Sequence, residues 1–190
     1  MATQLLYPSA AGDLTQFTNV NTATHWEAVD ETSADDATSF IRSGVDESDE
    51  TWSIVIKENS TTTAVAKSAT GTYTNYTNEW TVKPSDSSAF TVTDINNLQI
   101  GVKYTGDDNP INQTDLFNIQ DWPNNSGDTI NSVTVTARWK SSGTSAFSFM
   151  ECTQVFATVD YTAAAAAAPR KTINIVGGSM IVKGGKVILK

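Results

Sequence analysis

One histidine and one cysteine bound the chemistry this chain can perform. His25 lies in the stretch His25-Trp26-Glu27-Ala28-Val29-Asp30-Glu31 and has no second histidine with which to share a metal. A packed structural role is the expectation for it. Cys152 has no cysteine partner, and a small apolar role in the interior is the commonest fate of such a thiol. The sequence holds no Gly-x-Ser-x-Gly elbow, no Cys-x-x-Cys pair and no phosphate-cradling glycine loop. Two carboxylates alone can hydrolyse a glycoside, but the acids here gather in polar loops, where they commonly form solvated faces. No catalytic residue is assigned, and a non-enzymatic protein is expected.

Oxygen-rich loops and aromatic rings are the remaining candidates for ligand chemistry. Asp30-Glu31 with Asp35-Asp36, the run Asp46-Glu47-Ser48-Asp49-Glu50, and Asp107-Asp108-Asn109 carry enough oxygen for a hard cation such as Ca²⁺, yet none follows EF-hand spacing. No cofactor or metal is expected, with structural calcium as the alternative. Five tryptophans and five tyrosines raise stacking on a sugar. Trp26, Trp52 and Trp139 alternate with the core side of their segments, which places them inside. Trp80, Trp122, Tyr73 and Tyr76 are less constrained and are the candidate carbohydrate contacts.

The elements that would position these groups read as strands. Thr51–Glu58 places Trp52, Ile54 and Ile56 opposite Ser53, Val55 and Lys57, and Gln99–Thr105 alternates Ile100, Val102 and Tyr104 against Gln99, Gly101 and Lys103. Ile130–Lys140 sets Val133, Val135, Ala137 and Trp139 against Thr134, Thr136, Arg138 and Lys140. Thr153–Tyr161 sets Val155, Ala157, Val159 and Tyr161 against Gln154, Phe156, Thr158 and Asp160. The residues from His25 to Glu31 alternate likewise, with Trp26, Ala28 and Asp30 sharing one side, and Glu79–Lys83 reads as a strand stopped by Pro84. One helical turn is expected after Thr93. No segment sustains a 3.6-residue period. About eight short strands between Asn, Asp, Gly and Pro turns indicate an all-β antiparallel sandwich of jelly-roll-like type over residues 1–162.

The end of the chain differs in composition. After the Ala/Pro tether at 163–169, residues 170–190 read as three five-residue strands separated by Gly-Gly pairs, a basic apolar β-meander. Its apolar residues Ile173, Ile175, Val176, Met180, Ile181, Val182, Val187, Ile188 and Leu189 fall on both faces. Burying each is worth roughly 1.5–3 kcal/mol, while ordering each backbone unit costs roughly 1–2 kcal/mol. A lone meander with two bare faces is therefore unstable, and these nine residues are the expected assembly interface. The seven tether residues reach about 10 Å as helix or about 23 Å extended.

Charge divides the chain at the same place. The segment from Arg170 carries five basic residues and no acid, leaving the rest with 7 basic and 21 acidic residues, a net of −14 against a total of −9. An acidic body argues against nucleic acid and against an anionic membrane surface, whereas a basic apolar tail suggests docking. No stretch approaches the length of an apolar membrane span, and the start MATQLLYPSAAGD shows no basic region followed by an apolar run, so no signal peptide is expected.

Several phrases carry a likeness. His25 to Glu31 with the Asp35-Asp36 loop, Leu98-Gln99-Ile100-Gly101-Val102-Lys103, Thr114-Asp115-Leu116-Phe117 leading through Pro123 to Ile130-Asn131-Ser132-Val133-Thr134-Val135, and Thr153 to Tyr161 resemble a group of phage and prophage virion β-sandwich proteins, over most of residues 14–162. In that group the Asp-Leu-Phe segment follows the Asp-Asp loop closely; here it follows Leu98–Lys103. The resemblance implies a particle component such as a head decoration, neck or fibre-base protein, located on the virion after synthesis in the host cytoplasm. It implies no catalytic residues. The expected partners are other virion proteins and copies of itself, a trimer being preferred on analogy alone. A carbohydrate-binding, lectin-like sandwich module is the alternative function, with a glycan as its partner.

Overall fold

Alternation of apolar and polar residues makes strands the dominant element of the body. The computed structural model describes residues 1–36, 38–44, 51–105, 112–144, 147–165, 180–183 and 186–189. In chain order the elements are β1 (Ala2–Leu6), β2 (Pro8–Thr15), β3 (Thr18–Val20), a 3₁₀ turn (Trp26–Ala28), β4 (Phe40–Arg42), β5 (Thr51–Glu58), β6 (Thr61–Lys67), β7 (Thr74–Trp80), the helix α1 (Val92–Asn96), β8 (Gln99–Thr105), β9 (Asn112–Ile119), β10 (Thr129–Thr144), β11 (Phe147–Thr162), β12 (Met180–Lys183) and β13 (Lys186–Leu189).

These strands build an all-β sandwich of two antiparallel sheets. The six-stranded sheet runs β3-β4-β11-β10-β7, with β1 also paired to β11, and the five-stranded sheet runs β2-β9-β8-β5-β6. On β11, β1 pairs with residues 157–161 and β4 with residues 151–152. Among the described strands the chain changes sheets between β1 and β2 at Tyr7, and again between β2 and β3, β4 and β5, β6 and β7, β7 and β8, and β9 and β10.

The core lies between the sheets. Trp52, Ile54 and Ile56 from β5, Ile100, Val102 and Tyr104 from β8, and Val133, Val135, Ala137 and Trp139 from β10 meet there with Val155, Ala157 and Val159 from β11. Trp52 sits edge-on to Tyr104 at 5.2 Å between ring centroids, and Tyr76 stacks on Trp139 at 4.5 Å. Where β8 passes β9, a Cβ on Gly101 would lie 1.9 Å from the carbonyl oxygen of Asp115, so no other residue fits without moving β9.

Two bulges tune the long β10–β11 pair. Between Ile130 and Ser132 the register shifts by one residue, so Ile130 and Val133 both point inward despite their odd spacing. Between Arg138 and Trp139 the extra residue is Thr153 on β11, fully buried. It switches the inward set from Val155, Ala157 and Val159 to Cys152 and Met150.

Two local readings need correction. Within His25 to Glu31, Trp26–Ala28 form a 3₁₀ turn, and no part of the stretch is a strand. Thr24 and Glu27 account for it: the Thr24 backbone N–H and hydroxyl donate to Glu27 Oε2 at 3.0 and 2.8 Å, and the Glu27 N–H returns to the Thr24 hydroxyl at 3.4 Å. That is a capping box, which favours a helical turn over extension. The strand expected at Glu79–Lys83 is instead β7, ending at Trp80. Beyond it, reciprocal backbone bonds of 2.8 and 2.9 Å among Lys83, Ser87 and Ser88 close a turn. A strand that no expectation covered is β6, an edge strand in the Thr/Ser/Ala stretch after β5, reached through Asn59 at φ 52°, a left-handed position that Asn tolerates in a tight hairpin. The helical turn expected near Thr93 is α1, capped by Thr91 and Asp94.

The two ends of the sandwich are distinct. At one, Ser43 N–H bonds Met150 O at 3.0 Å, Gly44 N–H bonds Gln113 Oε1 at 2.5 Å, Thr51 pairs with Thr105, and Thr105 pairs with Asn112. The residues flanking 45–50 and 106–111 therefore meet at the end where β10 and β11 close their hairpin. At the opposite end of β11, Thr162 pairs with Thr129 and Tyr161 pairs with Ala2, and strand pairing stops there.

Of the expected C-terminal meander, the structure describes β12 and β13, an antiparallel pair with Met180 opposite Leu189, Ile181 opposite Ile188, Val182 opposite Val187 and Lys183 opposite Lys186. The first expected strand, with Ile173, Ile175 and Val176, lies outside the described residues, as do residues 166–169 of the tether.

Candidate functional site

The end where the chain departs is built around one carboxylate. After β9 the chain turns at Trp122, whose backbone N–H donates to Asn96 Oδ1 of α1 at 2.7 Å. Its ring, only 7% exposed, stands edge-on to Tyr161 of β11 at 4.9 Å and 89°. The turn at Asn125 (Asp128 N–H to Asn125 O, 3.0 Å; Gly127 N–H to Asn125 Oδ1, 2.9 Å) then presents Asp128. Asp128 is 8% exposed and divides its oxygens: Oδ2 accepts the Trp122 Nε1–H at 3.1 Å, and Oδ1 accepts the backbone N–H of Ala164 at 2.8 Å. The first residues of the tether are thus held by the body.

A second polar group lies on the outer face of the six-stranded sheet, near its other end. Glu151 of β11, 5% exposed, accepts from Arg42 Nη2 at 2.5 Å, Lys140 Nζ at 3.0 Å, the Tyr73 hydroxyl at 3.1 Å and the Ser142 hydroxyl at 3.3 Å. Burial pushes its carboxyl upward, but the bonds from Arg42 and Lys140 outweigh this and leave it below the ordinary glutamate value. Arg42 lies over the rings of Phe40 and Phe149 at 5.1 and 4.5 Å. Beside it Arg138 grips Asp36 with two bonds of 2.7 and 2.5 Å, a bidentate pair that lowers the aspartate. Every charge here is matched by a neighbour, which makes this a fastening of the Asp36 loop and β4 to the sheet.

The residues capable of nucleophilic or base chemistry are used inside. His25 Nδ1 lies 2.6 Å from Asp115 Oδ2, and the fully buried Asp115 also accepts from the backbone N–H groups of Gln16 and Phe17 at 2.5 and 2.9 Å. The pair ties the segment crossing between the sheets to β9. Cys152 is completely buried, and desolvation pushes its thiol up to about 12, so it is not a thiolate at neutral pH. Among the described residues no three His, Cys, Asp or Glu side chains stand together as a metal cluster. Ser39 bridges Glu31 and Asp35 at 2.7 and 2.9 Å, while the runs at 46–50 and 107–109 lie outside the described residues.

The four aromatic candidates are dispersed. Tyr76 and Trp80 share the inward side of β7 and pack against the core. Trp122 is in the base described above. Tyr73 lies on the outer face, its ring 4.5 Å from Lys140 Nζ and its hydroxyl on Glu151. All four thus spend ring surface on the protein itself. Trp26, expected inside, is partly buried against the core, and Trp52 and Trp139 are wholly inside. Sequence reasoning passed over Asp115, Asp128 and Glu151. Asp115 and Glu151 carried a signal, each being an acid within an apolar strand run; Asp128 carried a weaker one, an acid just after an Asn-Ser-Gly turn.

Compared with known proteins, the chain matches no family model, no curated protein and no solved structure.

Proposed function

We propose that this protein is a non-enzymatic structural component of a phage particle, a head decoration, neck or fibre-base protein. In this reading an acidic jelly-roll-like sandwich faces outward and the basic apolar residues 170–190 anchor it to other virion proteins and to copies of itself. The observation that carries the reading is the division of charge along the chain: residues 1–169 hold 7 basic and 21 acidic residues, and residues 170–190 hold five basic residues and no acid. Such a division suits a protein that is held through one segment and displayed through the other.

A second support is the insufficiency of the tail. Two four-residue strands, β12 and β13, cannot be stable alone in water, and their apolar residues require cover. An antibody against residues 1–162 tests the location: it is expected to decorate intact purified particles at a fixed, symmetry-related position. Binding confined to the particle-free fraction would contradict the reading.

A further inference from the structure

We infer that Asp128 is a positioning residue for the C-terminal segment, fixing the point and direction from which it leaves the sandwich. The inference rests on the anchoring role proposed for residues 170–190 and specifies how that role is served. It starts from what alanine lacks. Residues 163–168 are all alanine, with no side-chain donor or acceptor, so only their backbone can be fastened.

Sheet pairing does not do it, because the last pair is Thr129 with Thr162 and residues 163–165 lie in neither helix nor strand. The fastening is the Ala164 N–H to Asp128 Oδ1, a hydrogen bond to a carboxylate that is 8% exposed, the charge-assisted class that is roughly twice as strong as a neutral one. Gly127 lies beside the same residue: a Cβ built on it would meet the Ala164 Cβ at an ordinary contact distance of 3.4 Å.

Asp128 is itself braced from three directions. Trp122 Nε1–H occupies its other oxygen, the Asn125 turn holds its backbone, and Trp122 is in turn fixed by Asn96 of α1 and the edge of Tyr161. A segment leaving such a base explores fewer directions than one leaving a free strand end, so its effective concentration at a correctly placed partner is higher. This predicts that Asp128 governs association even though it touches no partner.

The test compares the full chain with its Asp128→Ala, Ala164→Pro and Trp122→Phe forms. Asp128→Ala is expected to speed amide exchange at Ala164 at least tenfold and to weaken association, measured by sedimentation, about tenfold, with the circular dichroism of the body retained. Ala164→Pro removes the donor and leaves Asp128 and Trp122 intact; it should weaken association equally, and it carries the test if Asp128→Ala does not fold. Trp122→Phe removes one of the braces on Asp128, the bond to Oδ2, and should weaken association by a smaller factor than Asp128→Ala, about threefold. A folded Asp128→Ala or Ala164→Pro protein that associates like wild type overturns the inference, as does wild-type Ala164 exchanging as fast as in the variant. A chain ending at Thr162 that associates as strongly as the full chain would instead refute the anchoring role, and exchange at Ala164 would then decide on the clamp alone.

Discussion

Three buried carboxylates brace the sandwich, and they differ in what they grip. Asp115 holds Gln16, Phe17 and His25, and Glu151 holds Arg42, Lys140 and Tyr73, all within the body. Where β11 ends, Asp128 holds one body residue, Trp122, and one residue beyond the last strand pair, Ala164. The first two carboxylates lock the fold; the third reaches outside it. A buried acid whose partners are all internal is a stability device, whereas one spent on an exiting backbone controls what comes next.

The contrast can be broken by substitution, and the largest effect belongs to Asp115. Replacing it with alanine leaves two backbone N–H groups and His25 without their acceptor inside the sandwich, and should cost about 4 kcal/mol in urea unfolding. Glu151→Ala should cost about 2 kcal/mol at neutral pH, less because Arg42 and Lys140 can turn toward water. Its pH dependence has a definite sign. Since the folded carboxyl lies below the ordinary value of 4.5, its stabilisation is present above that value and lost as pH falls through the folded one. The gap between wild type and Glu151→Ala should therefore narrow on acidification, and a constant gap would show that the charge is not what fastens β4. Smallest is Trp122→Phe, expected at about 1 kcal/mol, because the ring's packing on Tyr161 survives and only one hydrogen bond goes. A cost as large as that of Asp115 would erase the distinction between the carboxylates.

The sandwich was legible wherever alternation was strong. Trp52 to Ile56, Ile100 to Tyr104 and Val133 to Trp139 declared their strands because one side of each is apolar and packs inward. β6 was not legible, since Thr61 to Lys67 lies at a sheet edge where burial asks little of its side chains. At His25 to Glu31 the apolar period suggested a strand, but local hydrogen bonding between Thr24 and Glu27 prevailed over it. The bulge at Thr153 likewise escaped notice: periodicity gives the inward set on either side of it, not the switch between them. For the site, the sequence marked the tail by charge and the aromatics by type. It could not show that Trp122 turns its ring inward to Asp128, because that contact is made only when the turn after β9 meets the end of β11.

The central claim is that residues 170–190 hold copies together while the body stands alone. Light scattering on the full chain and on a chain ending at Thr162, at equal concentration, measures it directly. The account predicts a multimer for the full chain and a folded monomer for the shortened one; equal masses for the two, or an unfolded shortened chain, would contradict it.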